Sequence, residues 1–124
     1  MEEKETLKLC EKMLEEFQKE NIKGAFDLAR PHTVVPDDQI TQLSVQGTQQ
    51  LEIFRQMYGG IVGYELIKKN VLKSLIRYVF ILKTQKIPIF FIFIFYNAKK
   101  DWKIIGIEWK EGAGSFFERE KLEE

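Results

Sequence analysis

Residues 87 to 96 read Ile87-Pro88-Ile89-Phe90-Phe91-Ile92-Phe93-Ile94-Phe95-Tyr96. After the proline this stretch is unbroken β-branched and aromatic residue. It is too short to cross a bilayer as a helix, which takes about 20 apolar residues. Its composition is that of a strand covered on both faces. Left uncovered, such a run would template aggregation. The fold therefore has to bury it twice, and Pro88 fits the start of the strand, where a missing donor costs little.

The run sits in a chain of 124 residues, the size of one domain with one core. Nineteen Lys+Arg balance nineteen Asp+Glu, so no global field draws the chain to nucleic acid or anionic lipid. One cysteine, Cys10, excludes an internal disulfide and a cysteine-cluster metal site. One histidine, His32, excludes multi-histidine metal sites and leaves little for histidine-based catalysis. No catalytic residue, metal site or cofactor is assigned. The opening Met-Glu-Glu-Lys-Glu-Thr has no apolar signal-peptide core, so the chain as given reads as cytoplasmic; a methionine placed after removal of a leader would look the same.

Upstream of the run the period is helical. Leu7, Cys10, Met13, Leu14 and Phe17 form one stripe on a helix over 3–20, with Glu and Lys on the wet face. Cys10 on that stripe acts as a small hydrophobe. A second helix over 22–30 buries Ile22, Phe26 and Ala29 and stops at Pro31. His32 follows, either as a capping or surface residue, which is the preferred reading, or looking into the cleft the helices enclose. Asp37 and Asp38 start a third helix over 38–58, which Gly47-Thr48 could interrupt and Gly59-Gly60 ends.

From Ile61 the period becomes that of strands, over 61–70, 74–84, 87–97 and 102–110, with connections short enough to force an antiparallel meander. The remainder, 112–124, contains a capping-box pattern at Ser115 to Glu118 and reads as a short helix or a frayed end. The expected fold is α+β, with the chain to residue 111 as a single domain.

Alternation sorts the strand residues by face. Centring one hairpin on Gln85-Lys86 pairs Leu82 with Ile89, Phe80 with Phe91 and Tyr78 with Phe93. Centring the last on Lys99 pairs Phe93 with Ile105 and Ile89 with Trp109. The inner face then carries Tyr64, Leu66, Ile76, Tyr78, Phe80, Leu82, Ile89, Phe91, Phe93, Phe95, Ile105, Ile107 and Trp109. The outer face carries Glu65, Ile67, Arg77, Val79, Ile81, Phe90, Ile92, Ile94, Ile104, Gly106 and Glu108, with Arg77 diagonal to Glu65. The helices suffice for one face only. The apolar outer face is expected to be a partner surface, filled most simply by a second copy of the chain through Arg77, Val79, Phe90, Ile92, Ile94, Ile104 and Glu108.

Helices followed by a long-stranded meander, with Gly24-Ala25-Phe26, Tyr58-Gly59, Gly63-Tyr64-Glu65, Arg77-Tyr78, Phe95-Tyr96 and Trp102-Lys103-Ile104, resemble the nuclear transport factor 2-like (cystatin-like, α+β cone) superfamily, in particular its small bacterial members. The resemblance covers the chain to about Lys110. It implies helices in the concave face of a strongly curved, cone-shaped sheet, an apolar pocket between them and dimerisation through the outer face. The superfamily's isomerases use a pocket Asp with a Tyr and a protonated Asp, and its dehydratases a His-Asp pair; neither set maps onto this chain.

Three functions follow. The first is a non-catalytic, homodimeric binding or accessory domain. A small hydrophobic ligand would sit among Tyr64, Tyr78, Phe80, Phe91, Phe93, Trp109 and His32. The same aromatics could equally fill the core. The second is an isomerase, cyclase or dehydratase using His32 or, with a slipped first hairpin, Glu65. The third is a protein-interaction module using the outer face around Arg77 and Glu108. Nucleic-acid and membrane roles rank last.

Overall fold

A computed structural model of the chain describes residues 1–111. Three helices, α1 (Glu3–Gln18), α2 (Ile22–Ala29) and α3 (Asp37–Tyr58), precede four strands, β1 (Ile61–Leu72), β2 (Leu75–Thr84), β3 (Pro88–Asn97) and β4 (Trp102–Lys110). A 3-10 turn, Arg30–His32, follows α2 where Pro31 forbids another α-helical turn. The strands form one antiparallel sheet in chain order. The class is α+β, as the change of period requires. The expected C-terminal element, 112–124, lies outside the described residues.

Local chemistry sets the helix ends. The Glu2 amide donates to the Glu5 carboxylate at the start of α1, 3.2 Å away. Asn21 caps α2, its side-chain oxygen accepting from the Gly24 amide at 3.1 Å. Helix α3 runs unbroken through Gly47 and stops at Gly59, whose φ of +85° is open to glycine and strained for other residues.

The core is one cluster drawn from every helix and strands β2 to β4, with Tyr64 of β1 packed against it. Thr6, Cys10, Met13, Leu14 and Phe17 of α1 are buried, as are Ile22, Ala25, Phe26 and Ala29 of α2. The β2–β3 register is the expected one: Leu82 faces Ile89, Phe80 faces Phe91 and Tyr78 faces Phe93.

The last hairpin departs from expectation. Phe91 faces Trp109 and Phe93 faces Ile107, and a bulge then carries the pairing from Ile94–Gly106 to Phe95–Ile104. One extra residue on β4 reverses the alternation before it. Ile104, expected on the outer face and in a dimer interface, is instead fully buried in the inner core. Ile105, expected inside, is 40% exposed.

Strand β1 has two such irregularities, at Val62 and at Ile67. The second leaves Leu66 on its expected inner side, opposite buried Phe80, although exposed. It also separates the expected Arg77–Glu65 diagonal. Asn70 stands opposite Arg77 and its side-chain oxygen accepts two guanidinium hydrogen bonds, at 3.0 and 2.7 Å. Glu65, opposite Ile81, reaches Lys83 at 3.1 Å.

Candidate functional site

The buried stripe of α3 runs Ile40, Ser44, Gly47 and continues as Leu51, Phe54 and Tyr58. Its first half packs against α2. Its second half lies over the sheet at the β2–β3 hairpin end and leaves a narrow apolar cleft. Phe17 of α1 and Gly47, Leu51 and Phe54 of α3 form one wall, and Leu82, Ile89, Phe91 and Trp109 of the sheet form the other.

Trp109 organises this cleft. Its ring stacks on Phe91, with centroids 5.7 Å apart and planes 20° apart, and its edge meets Phe26. Phe17 also packs against Phe91, with centroids 4.8 Å apart. Gly47 lets α3 approach, since a Cβ there would lie 3.7 Å from the Trp109 ring and 3.2 Å from Ile22. At the mouth the Trp109 indole N–H donates to the side-chain oxygen of Gln50. Among the described residues Gln50 and Trp109 are the only polar side chains lining the cleft, and none of the nine can act as acid, base or nucleophile. Its free volume, about 20 Å³, is close to that of a single water.

The expected pocket residues divide between this cleft and the filled core. Phe91 and Trp109 line the cleft. Tyr78, Phe80 and Phe93 do not; they pack edge to face with Phe95 and with each other, Tyr78–Phe95 at 5.9 Å and Phe80–Phe93 at 6.0 Å. The Tyr78 hydroxyl lies 2.8 Å from that of Thr6. Burial pushes the Tyr78 phenol up from its ordinary value, and the Thr6 hydrogen bond opposes that shift. Tyr64 is half-buried at the side of the sheet and donates to Glu15 at 3.2 Å. Burial and the nearby Glu15 carboxylate raise its phenol too. Both groups remain neutral donors at physiological pH.

His32 is elsewhere. It closes the 3-10 turn near the beginning of β4, whereas Trp109 stands near the end of that strand. Partial burial lowers its pKa, and the positive charges of the N-terminus and Lys103 lower it further. Glu65 lies on the outer face, opposite Ile81, and does not enter the cleft. Burial pushes the Cys10 thiol well above its ordinary value, with the neighbouring Glu11 charge adding to the effect. Among the described residues no group of three His, Cys, Asp or Glu could hold a metal ion, and no helix is long and apolar enough to cross a membrane.

On the outer face Val79, Phe90 and Ile92 form a second cluster, with Ile81 and Ile94 packed against it. These three are 0, 3 and 1% exposed within a single chain.

Residue spacing alone could not have found the Gln50–Trp109 contact. It joins a helix and a strand far apart in the chain, and nothing near either residue marks it. Comparison of the chain with protein-family models, with curated proteins and with solved structures finds no match.

Proposed function

We propose that this chain is a non-catalytic binding domain that takes a small hydrophobic ligand beneath the C-terminal half of α3. The supporting observation is the composition of the cleft. Seven of its nine lining residues are large apolar or aromatic side chains, and the two hydrogen-bonding groups, Gln50 and the Trp109 indole, face one another at its mouth. That is the build of a site for an apolar body with one acceptor, which would replace Gln50 on the indole N–H. At its present volume the cleft holds little more than a water, so binding requires α3 to lift from the sheet. That helix half is the least buried helical segment, with Ile53 and Met57 exposed. The same helices-then-meander order supports the wider reading of the chain as an outlying member of the nuclear transport factor 2-like group.

Tryptophan fluorescence tests the reading. Acyl and aryl compounds carrying a carbonyl should shift Trp109 emission and raise Tm, and Trp109→Phe should abolish the shift while buried Trp102 still emits. Emission and Tm unmoved by every compound class would overturn it and identify the cleft as a packing defect.

A further inference from the structure

The two edges of the sheet are treated differently. The β4 edge is occupied at its start, where Trp102 N–H donates to the Met1 carbonyl at 2.9 Å and Val34 N–H to the Ile104 carbonyl at 3.1 Å. Strand β1 bonds β2 along one side, and among the described residues no backbone hydrogen bond reaches its other side. Its twelve residues are unusually apolar for such an edge. Val62, Leu66, Ile67 and Val71 are 57, 41, 42 and 51% exposed. An edge of this length and composition is a template for another strand.

We propose that β1 pairs antiparallel with β1 of a second copy, about a two-fold axis between Leu66 and Ile67. The sequence of the strand is self-complementary in that register. Glu65 stands opposite Lys68 of the other copy, Val62 opposite Val71, and Leu66 opposite Ile67. The faces agree as well. Glu65 and Lys68 both lie on the outer face of the sheet, opposite Ile81 and Val79, because the bulge at Ile67 restores their alignment. Two-fold symmetry makes each match twice, and opposite charges across a ladder stabilise it. Glu65 already meets Lys83 in an exposed pair, which costs little to share. The occupant is a second copy rather than an unrelated strand because the charge order along β1 complements itself. Bulges and paired lysines are also devices that blunt an edge, and that opposing interpretation makes a different prediction.

Sedimentation equilibrium of the full chain over a wide concentration range decides between them. The expected result is a dimer whose association weakens about tenfold in Glu65→Lys, which sets like charges opposite twice. Adding Lys68→Glu to that variant should restore the association. Circular dichroism of each variant establishes that the fold is kept. A monomer at every concentration overturns the proposal in favour of a blunted edge. A dimer indifferent to both substitutions overturns it in favour of another surface.

Discussion

The hydroxyls of Thr6 and Tyr78, seventy-two positions apart, lie 2.8 Å from one another inside the core. The Thr6 hydroxyl also donates to the Glu3 carbonyl at 2.7 Å, so it has a partner in its own helix. The two residues are thus unequal in their dependence on the contact. Thr6→Val leaves the buried phenol without its partner and should cost about 1–3 kcal/mol, the penalty for an unsatisfied buried group. Tyr78→Phe leaves Thr6 bonded to its own turn and should cost about 0.5–1.5 kcal/mol. Urea unfolding of the two variants and the double variant measures the difference; equal costs would show that the hydroxyl contact carries no such asymmetry.

The β4 bulge opposite Ile94 and Phe95 gives the two neighbouring isoleucines of that strand opposite fates. Ile104 is fully buried and Ile105 is 40% exposed. Ile104→Ala should therefore cost about 2–5 kcal/mol, as for other deletions in a closed core. Ile105→Ala should fall within about 0.5 kcal/mol of the parent. Thermal or urea denaturation of both checks the assignment, and the strict alternation read from the sequence predicts the reverse order.

That pair also shows what the sequence conveys. The β2–β3 register was legible because Pro88 and the Gln85-Lys86 turn fix one hairpin centre, and because both faces of β3 are apolar. Strand β4 offers no such mark. Ile104 and Ile105 are chemically identical, and only Gly106, which tolerates a bulge, hints that the alternation fails there. The same limit hid the site. Phe91 and Trp109 were legible as inner-face residues, but their cleft exists because α3 lies over one end of the sheet, and helix placement leaves no local trace. Aromatic spacing alone does not separate Tyr78, Phe80 and Phe93, which fill the core, from Phe91, which lines the opening.

His32 gives the chain a dependence on mildly acidic pH. Its folded pKa lies below the unfolded value of about 6.5, first through burial and then through the N-terminal charge and Lys103. The unfolded chain therefore binds its proton first as pH falls. Stability from this residue is full above about pH 6.5 and declines as pH drops from there through the folded pKa. Stability measured between about pH 7 and 5 should fall in the parent and fall less steeply in His32→Gln. Identical slopes would show that His32 titrates alike in both states. Asp27 acts in the same direction at lower pH. Its folded pKa is depressed by hydrogen bonds from Arg30 and Lys23, so its contribution is lost as pH falls through that depressed value.

Cys10 faces the core, and burial holds its thiol protonated. A disulfide reagent added to the native chain near neutral pH should react slowly, and the rate should rise to that of a free thiol in denaturant. Rapid labelling of the native chain would require a second, open arrangement of α1.

Gly59 fixes how α3 hands the chain to the sheet. Its φ is +85° and ψ 177°, a combination available in practice only to glycine. A Cβ added there would also lie 2.8 Å from Cδ and 3.0 Å from Cβ of Gln85, at the tip of the β2–β3 hairpin. Two costs therefore add in Gly59→Ala: backbone strain of about 1–3 kcal/mol and a collision with Gln85. They can be separated. Gln85→Gly removes the collision and leaves the strain, so the double variant should recover part of the loss and never all of it. Full recovery would mean that the backbone at residue 59 relaxes once the hairpin tip gives way, and that α3 is held over the cleft by Gln85 rather than by the turn itself.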